Sequence, residues 1–103
     1  MQLTKNFSRQ EFDCKDGTIV PDKFLFNVKE VAENLQALRD YLEVPVSVTG
    51  SGYRTPSHNA KVKGAKNSQH LTASAADINA KGYEPKQLAE VIELLILKGK
   101  MKQ

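Results

Sequence analysis

Two side chains in one short stretch have the types and spacing to share a cation: His70 and, seven positions on, Asp77. His70 is one of two histidines in the 103-residue chain, and Asp77 interrupts the otherwise small, apolar run from Ala75 to Ala80, where a carboxylate needs a reason. On one continuous helix the two would share a face yet lie about 10 Å apart along the axis. A zinc ion holds nitrogen and oxygen ligands at about 2.0–2.2 Å, so the ligand atoms must come within about 3–4 Å of each other. The chain must therefore bend between them. A loop through Leu71 to Ser74, followed by a short strand from Ala75 to Ala80, meets that condition because strand side chains alternate. Ala76 and Ile78 then pack into a core while Asp77 turns the other way, into a cleft with His70. Ser68 and Gln69 supply polar contacts around the pair. Spacing alone fits equally well a surface histidine and a hydrogen-bonded strand aspartate.

The run from Ser68 to Asp77, Ser-Gln-His-Leu-Thr-Ala-Ser-Ala-Ala-Asp, resembles the Ser-x-His-x-x-Gly-x-Ala-x-Asp signature of zinc D-alanyl-D-alanine carboxypeptidases and phage L-alanyl-D-glutamate endolysins. These are peptidases of the hedgehog/DD-peptidase fold. Upstream, Ser51-Gly52-Tyr53-Arg54 resembles the second signature of that family, and Asn59, Gly64 and Ser68 fit its phage-type branch. One departure stands out: Ala73 occupies a position where the family usually has glycine, and its methyl group would crowd a turn at positive φ.

The resemblance implies an α+β domain with a small antiparallel sheet packed by helices. It implies a zinc ion held by His70, Asp77 and a second histidine, which activates water and polarises a scissile carbonyl. Arg54 then becomes a catalytic and substrate-binding group, its planar guanidinium matching a carboxylate or an oxyanion. Ser68 and Tyr53 are implied substrate contacts, with Tyr53 weighted toward packing. The implied partner is the peptidoglycan stem peptide, cleaved during cell-wall degradation. A second reading keeps the fold and uses the cleft only to hold ligand, as a wall-binding or interaction module.

In the family, the second zinc histidine and the general-base carboxylate come from a strand after the last helix. No residue here is assignable to either role. The expectation is a single peptidase-like domain over 1–103, C-terminally truncated, lacking part of its sheet and catalytically incomplete, with an open sheet edge that invites dimerisation. His58, the other histidine, follows Thr55-Pro56-Ser57 and matches no family ligand; it reads as exposed unless its loop folds over the metal. Ser51 and Ser68 lack the flanking histidine–carboxylate pair and the elbow of a serine hydrolase.

The elements that must position these groups follow from pattern. Ser8 and Glu11 form a capping box, with Phe7 stapled to Phe12, and Asp16-Gly17 supply a turn after Cys14. Asn27 caps the clearest helix, in which Val28, Val31, Ala32, Leu35, Leu38 and Leu42 recur on one face. Val44, Val46 and Val48 alternate with Pro45, Ser47 and Thr49 as a half-buried strand, with Pro45 placing it at an edge or strand start. That strand delivers Arg54 beyond its end. Thr55 to Asn67 shows no period and reads as a long surface loop. Glu84-Pro85 open a last helix, with Leu88, Val91, Ile92, Leu95 and Ile96 buried and Gly99 stopping it.

Composition bounds the rest. With 40% hydrophobic and 26% charged residues, the chain reads as an ordinary globular domain. A net charge of +3 from scattered lysines is too weak for nucleic acid. The single cysteine, Cys14, excludes an internal disulfide and cannot by itself form a zinc cluster. No apolar run approaches the roughly 18 residues of a membrane span, and Met1 to Gln10 lacks the apolar core of a signal peptide. Action on cell wall then requires another route out, such as phage lysis.

Overall fold

The computed structural model describes residues 1–49 and 52–101, so Ser51 of the upstream signature lies outside the described residues. Near the N-terminus a 3₁₀ turn spans Arg9–Phe12, closed by the Glu11 carboxylate, which accepts from the Ser8 backbone N–H at 2.7 Å. The staple forms as well: the Phe7 and Phe12 rings sit 6.4 Å apart and both are fully buried. Burying such rings is worth about 1.5–3 kcal/mol each, which anchors a short segment that has little hydrogen bonding of its own.

Helix α1 spans Leu25–Leu42 and begins two residues before Asn27, directly continuing a 3₁₀ turn at Asp22–Phe24. Pro21 fixes the extended approach to that turn, so helical geometry is already established before Asn27 is reached. The Asn27 amide, not needed as a cap, instead donates to the Thr72 carbonyl at 3.0 Å and ties α1 to the segment carrying His70. Val28, Ala32, Leu35, Leu38 and Leu42 form the buried face.

Strands β1 (Val46–Val48) and β2 (Ile78–Ala80) pair antiparallel, with Val46 opposite Ala80 and Val48 opposite Ile78. Both are shorter than the alternation suggests. Pro45 has no N–H to donate, which stops the ladder on one side, although its carbonyl still accepts from Lys81 at 3.1 Å. On the other side one further bond, Thr49 N–H to the Asp77 carbonyl at 2.8 Å, fixes the backbone of Asp77 just outside β2.

Residues 55–67, expected as a loop, contain helix α2 (Pro56–Lys61). Thr55 caps it by accepting from the His58 N–H at 3.1 Å, and Pro56 takes the first helical position. Helix α3 (Pro85–Leu97) buries Leu88 and Leu95 and keeps Val91, Ile92 and Ile96 partly covered. The architecture is α+β, a two-stranded antiparallel sheet packed by helices. Among the described residues, no helix is long and apolar enough to cross a membrane.

Candidate active site

His70 lies in a third 3₁₀ turn, Gln69–Thr72, capped by Ser68, whose hydroxyl accepts from the His70 N–H at 3.2 Å. The turn ends at Ala73 with φ 58°, in the left-handed region. This is the conformation that glycine adopts freely and alanine adopts at a cost of about 1–2 kcal/mol. Ala73 is 1% exposed, so burial of its methyl, at about 0.8 kcal/mol, offsets part of that cost.

Reversal of the chain at Ala73 brings Asp77 back onto His70. Nε2 of His70 stands 3.6 Å from Oδ1 of Asp77, with the histidine side chain 12% exposed and the aspartate 52% exposed. The other ring nitrogen, Nδ1, is 3.2 Å from the Gly52 carbonyl oxygen. A carbonyl only accepts, so Nδ1 carries a proton, and in the neutral imidazole the lone pair is then on Nε2, the nitrogen beside Asp77. Metal-binding histidines are oriented by this kind of contact. At 3.6 Å the pair is too long for a hydrogen bond, yet it matches the roughly 3–4 Å between two ligands of one zinc ion. The donor set and its spacing therefore fit a divalent metal.

Gly52 reaches this position because it has no side chain: a Cβ there would fall 2.7 Å from Cδ1 and 2.9 Å from Cα of Phe12. The neighbouring Tyr53 N–H donates to the Phe12 carbonyl at 2.7 Å, binding the strap formed by residues 52–55 to the N-terminal turn. Tyr53 itself is 7% exposed, with its ring 5.9 Å from that of Phe24. It is a core residue, and its bearing on the site runs through the backbone that joins Gly52 to Arg54.

Arg54 is tied to both members of the pair. Its backbone N–H donates to the His70 carbonyl at 2.9 Å, and its Nη2 lies 3.5 Å from Oδ2 of Asp77. That contact is long and its acid half exposed, so it contributes at most about 1 kcal/mol. The firmer hold is Asn59, whose Oδ1 accepts from the other terminal nitrogen of Arg54 at 3.2 Å. Asn59 is a polar residue buried in the core, and its own amide donates to the Ala65 carbonyl at 2.9 Å. Gly64 makes room for this arrangement, since a Cβ there would meet Asn59 Oδ1 and stand 2.8 Å from the Arg54 guanidinium. The family pattern pointed to Asn59 and Gly64 without a role; only their contacts reveal that they hold Arg54.

His58 does not join this group. It belongs with Cys14 and Asp16, whose candidate ligand atoms and its own all lie within 4.8 Å of one another. Cys14 is buried and Asp16 exposed, with His58 between the two. The hydroxyl and amide of Thr18 hold the Asp16 carboxyl well below the usual carboxylate range, with help from Thr55 and Cys14. In the sequence Cys14 stood alone, because its partners are two residues away across a turn and forty-four away in α2.

Compared with known families, residues 3–100 match the family model described as Peptidase M15. No curated protein and no solved structure gives a significant match.

Proposed function

The chain belongs to the M15 peptidases, and from that membership we propose that it is a zinc metallopeptidase acting on peptidoglycan stem peptides, of the D-alanyl-D-alanine carboxypeptidase or endolysin type. His70 and Asp77 are the protein ligands of the zinc and Arg54 is the substrate-binding group. The observation that carries this reading is the 3.6 Å approach of His70 Nε2 to Asp77 Oδ1, with Nδ1 fixed on the Gly52 carbonyl. Zinc, when bound, supplies an activated water and polarises the scissile carbonyl.

The chain's own residues do the positioning. The Gly52 carbonyl keeps the His70 proton on Nδ1, and Ser68 holds the turn that carries the ring. Arg54 stays anchored on Asn59 while its other terminal nitrogen, held to Asp77 only at 3.5 Å, is available to a substrate carboxylate or a developing oxyanion. Beside the His70 turn runs a groove lined in part by Asn27, Gln69, Thr72 and Ser74, whose amides and hydroxyls suit a peptide.

A second reading, a wall-binding module of the same fold, is favoured by one observation. His58 and His70 are the histidines of the sequence, and His58 is grouped elsewhere, so this chain offers the metal a single imidazole.

Calorimetric zinc titration of the wild type, His70→Ala and Asp77→Ala tests the ligand assignment. Each variant is expected to lose one class of zinc site; identical isotherms in all three would remove His70 and Asp77 from it. Purified peptidoglycan then separates the two readings. Zinc-dependent release of stem-peptide fragments, lost in Asp77→Ala and reduced in Arg54→Ala, supports the peptidase, whereas binding without any release supports the module.

A further inference from the structure

Outside the His70–Asp77 pair, the described residues bring three different metal-ligating groups together. Cys14, Asp16 and His58 present a thiol, a carboxylate and an imidazole within 4.8 Å of one another. Ligand atoms around one tetrahedral zinc are about 3–4 Å apart, so the cluster needs about 1 Å of closure. Rotation of the half-buried His58 side chain is the adjustment that leaves the buried Cys14 and the bonds of Asp16 in place.

The segments that carry the ligands are already fastened together. Cys14 and Asp16 sit on one tight turn, in which Cys14 N–H donates to the Thr18 carbonyl at 2.9 Å and Gly17 N–H returns to the Cys14 carbonyl at 3.0 Å. Thr55 joins this turn to α2: its hydroxyl donates to Asp16 Oδ2 at 2.8 Å and accepts from the His58 N–H at 3.1 Å. The other oxygen, Oδ1, accepts from Thr18 N–H at 2.9 Å. An ionised carboxylate has about four acceptor sites; the Thr18 hydroxyl and the Cys14 thiol take the other two, and the one that Cys14 occupies is freed for a cation when the thiol proton leaves. Oriented ligands with their own hydrogen-bonded supports are what a metal site requires.

We propose that Cys14, Asp16 and His58 form a second metal site, selective for zinc-like divalent cations, that braces the strap between the N-terminal turn and α2. Thiolate with imidazole and carboxylate suits a borderline-soft ion and disfavours calcium or magnesium, which take oxygen ligands. On binding, the Sγ–metal bond forms as the thiol proton leaves to solvent. Because Arg54 directly precedes Thr55 and Asn59 directly follows His58, a metal here would steady the backbone of both Arg54 and the Asn59 that holds its guanidinium. The inference is independent of the assignment of His70 and Asp77.

The sole cysteine makes the test selective, since any thiolate–metal charge-transfer band can arise only at Cys14. Reduced, chelator-treated full-length protein is titrated with cobalt(II) and followed by near-ultraviolet absorption, with circular dichroism as the folding control. A saturable thiolate–cobalt band is expected in the wild type and retained in His70→Ala, with loss in Cys14→Ser and affinities weakened by about tenfold or more in His58→Ala and Asp16→Asn. Should Cys14→Ser fail to fold, the His58 and Asp16 variants decide. No band in the folded wild type overturns the proposal, as does a band that His58→Ala and Asp16→Asn leave unmoved or that disappears in His70→Ala.

Discussion

The Arg54 guanidinium bridges two residues that are not its sequence neighbours: one terminal nitrogen meets Oδ1 of Asn59 at 3.2 Å, and the other faces Asp77 at 3.5 Å. Asn59 is buried and Asp77 is half exposed. The first contact therefore fixes the side chain and the second leaves it responsive. An arginine held in this way can exchange the partner on its open side without losing its place.

Gly64→Ala and Asn59→Ala should both release Arg54. The added Cβ at 64 overlaps Asn59 Oδ1 and presses on Arg54, which costs about 1–3 kcal/mol by overpacking. Truncating Asn59 leaves the Ala65 carbonyl without that donor and Arg54 without its acceptor, a loss of about 1–3 kcal/mol. Since both act on one network, the double variant in urea denaturation should fall short of the sum of the singles. Full additivity would mean that Gly64 and Asn59 act separately and form no shared network around Arg54.

Ser68→Ala removes the hydroxyl that accepts from His70 N–H. Loss of a cap costs about 0.5–2 kcal/mol. The ring of His70 keeps its bond to Gly52, so its orientation should be loosened rather than lost. Histidine NMR signals should broaden or shift in this variant, and Ser68→Thr should restore them. Unchanged spectra in Ser68→Ala would show that the Gly52 carbonyl alone sets the ring.

Asp16 predicts a pH dependence of defined sign. Its carboxyl is depressed in the folded chain by bonds from Thr18, Thr55 and Cys14, so the ionised form is favoured in the fold. The stabilisation is present above the ordinary value of 3.8 and is lost as pH falls below it toward the depressed folded-state value. Urea midpoints of wild type and Asp16→Asn should differ by a constant amount near neutral pH and converge below about pH 4. A gap that persists unchanged into strong acid would exclude ionisation as its origin.

Features that depend on neighbours along the chain were legible in the residues alone. The Ser8–Glu11 box, the Phe7–Phe12 staple, the buried stripe of α1, the start of α3 at Pro85 and the pairing-competent valines of β1 are all set by spacing within a few residues. The need for a bend between His70 and Asp77 was legible too, because no straight helix can close about 10 Å to ligand distance. Helix α2 was locally encoded by Thr55-Pro56, a capping residue before a proline, but its six residues carry no apolar period to reveal it. Tertiary structure alone decided where Asn27 donates, which residue holds Arg54, and that His58 turns toward Cys14 and Asp16. Those contacts join residues far apart in the chain, and their geometry depends on backbones crossing at Gly52 and Gly64, where one added carbon would push the segments apart.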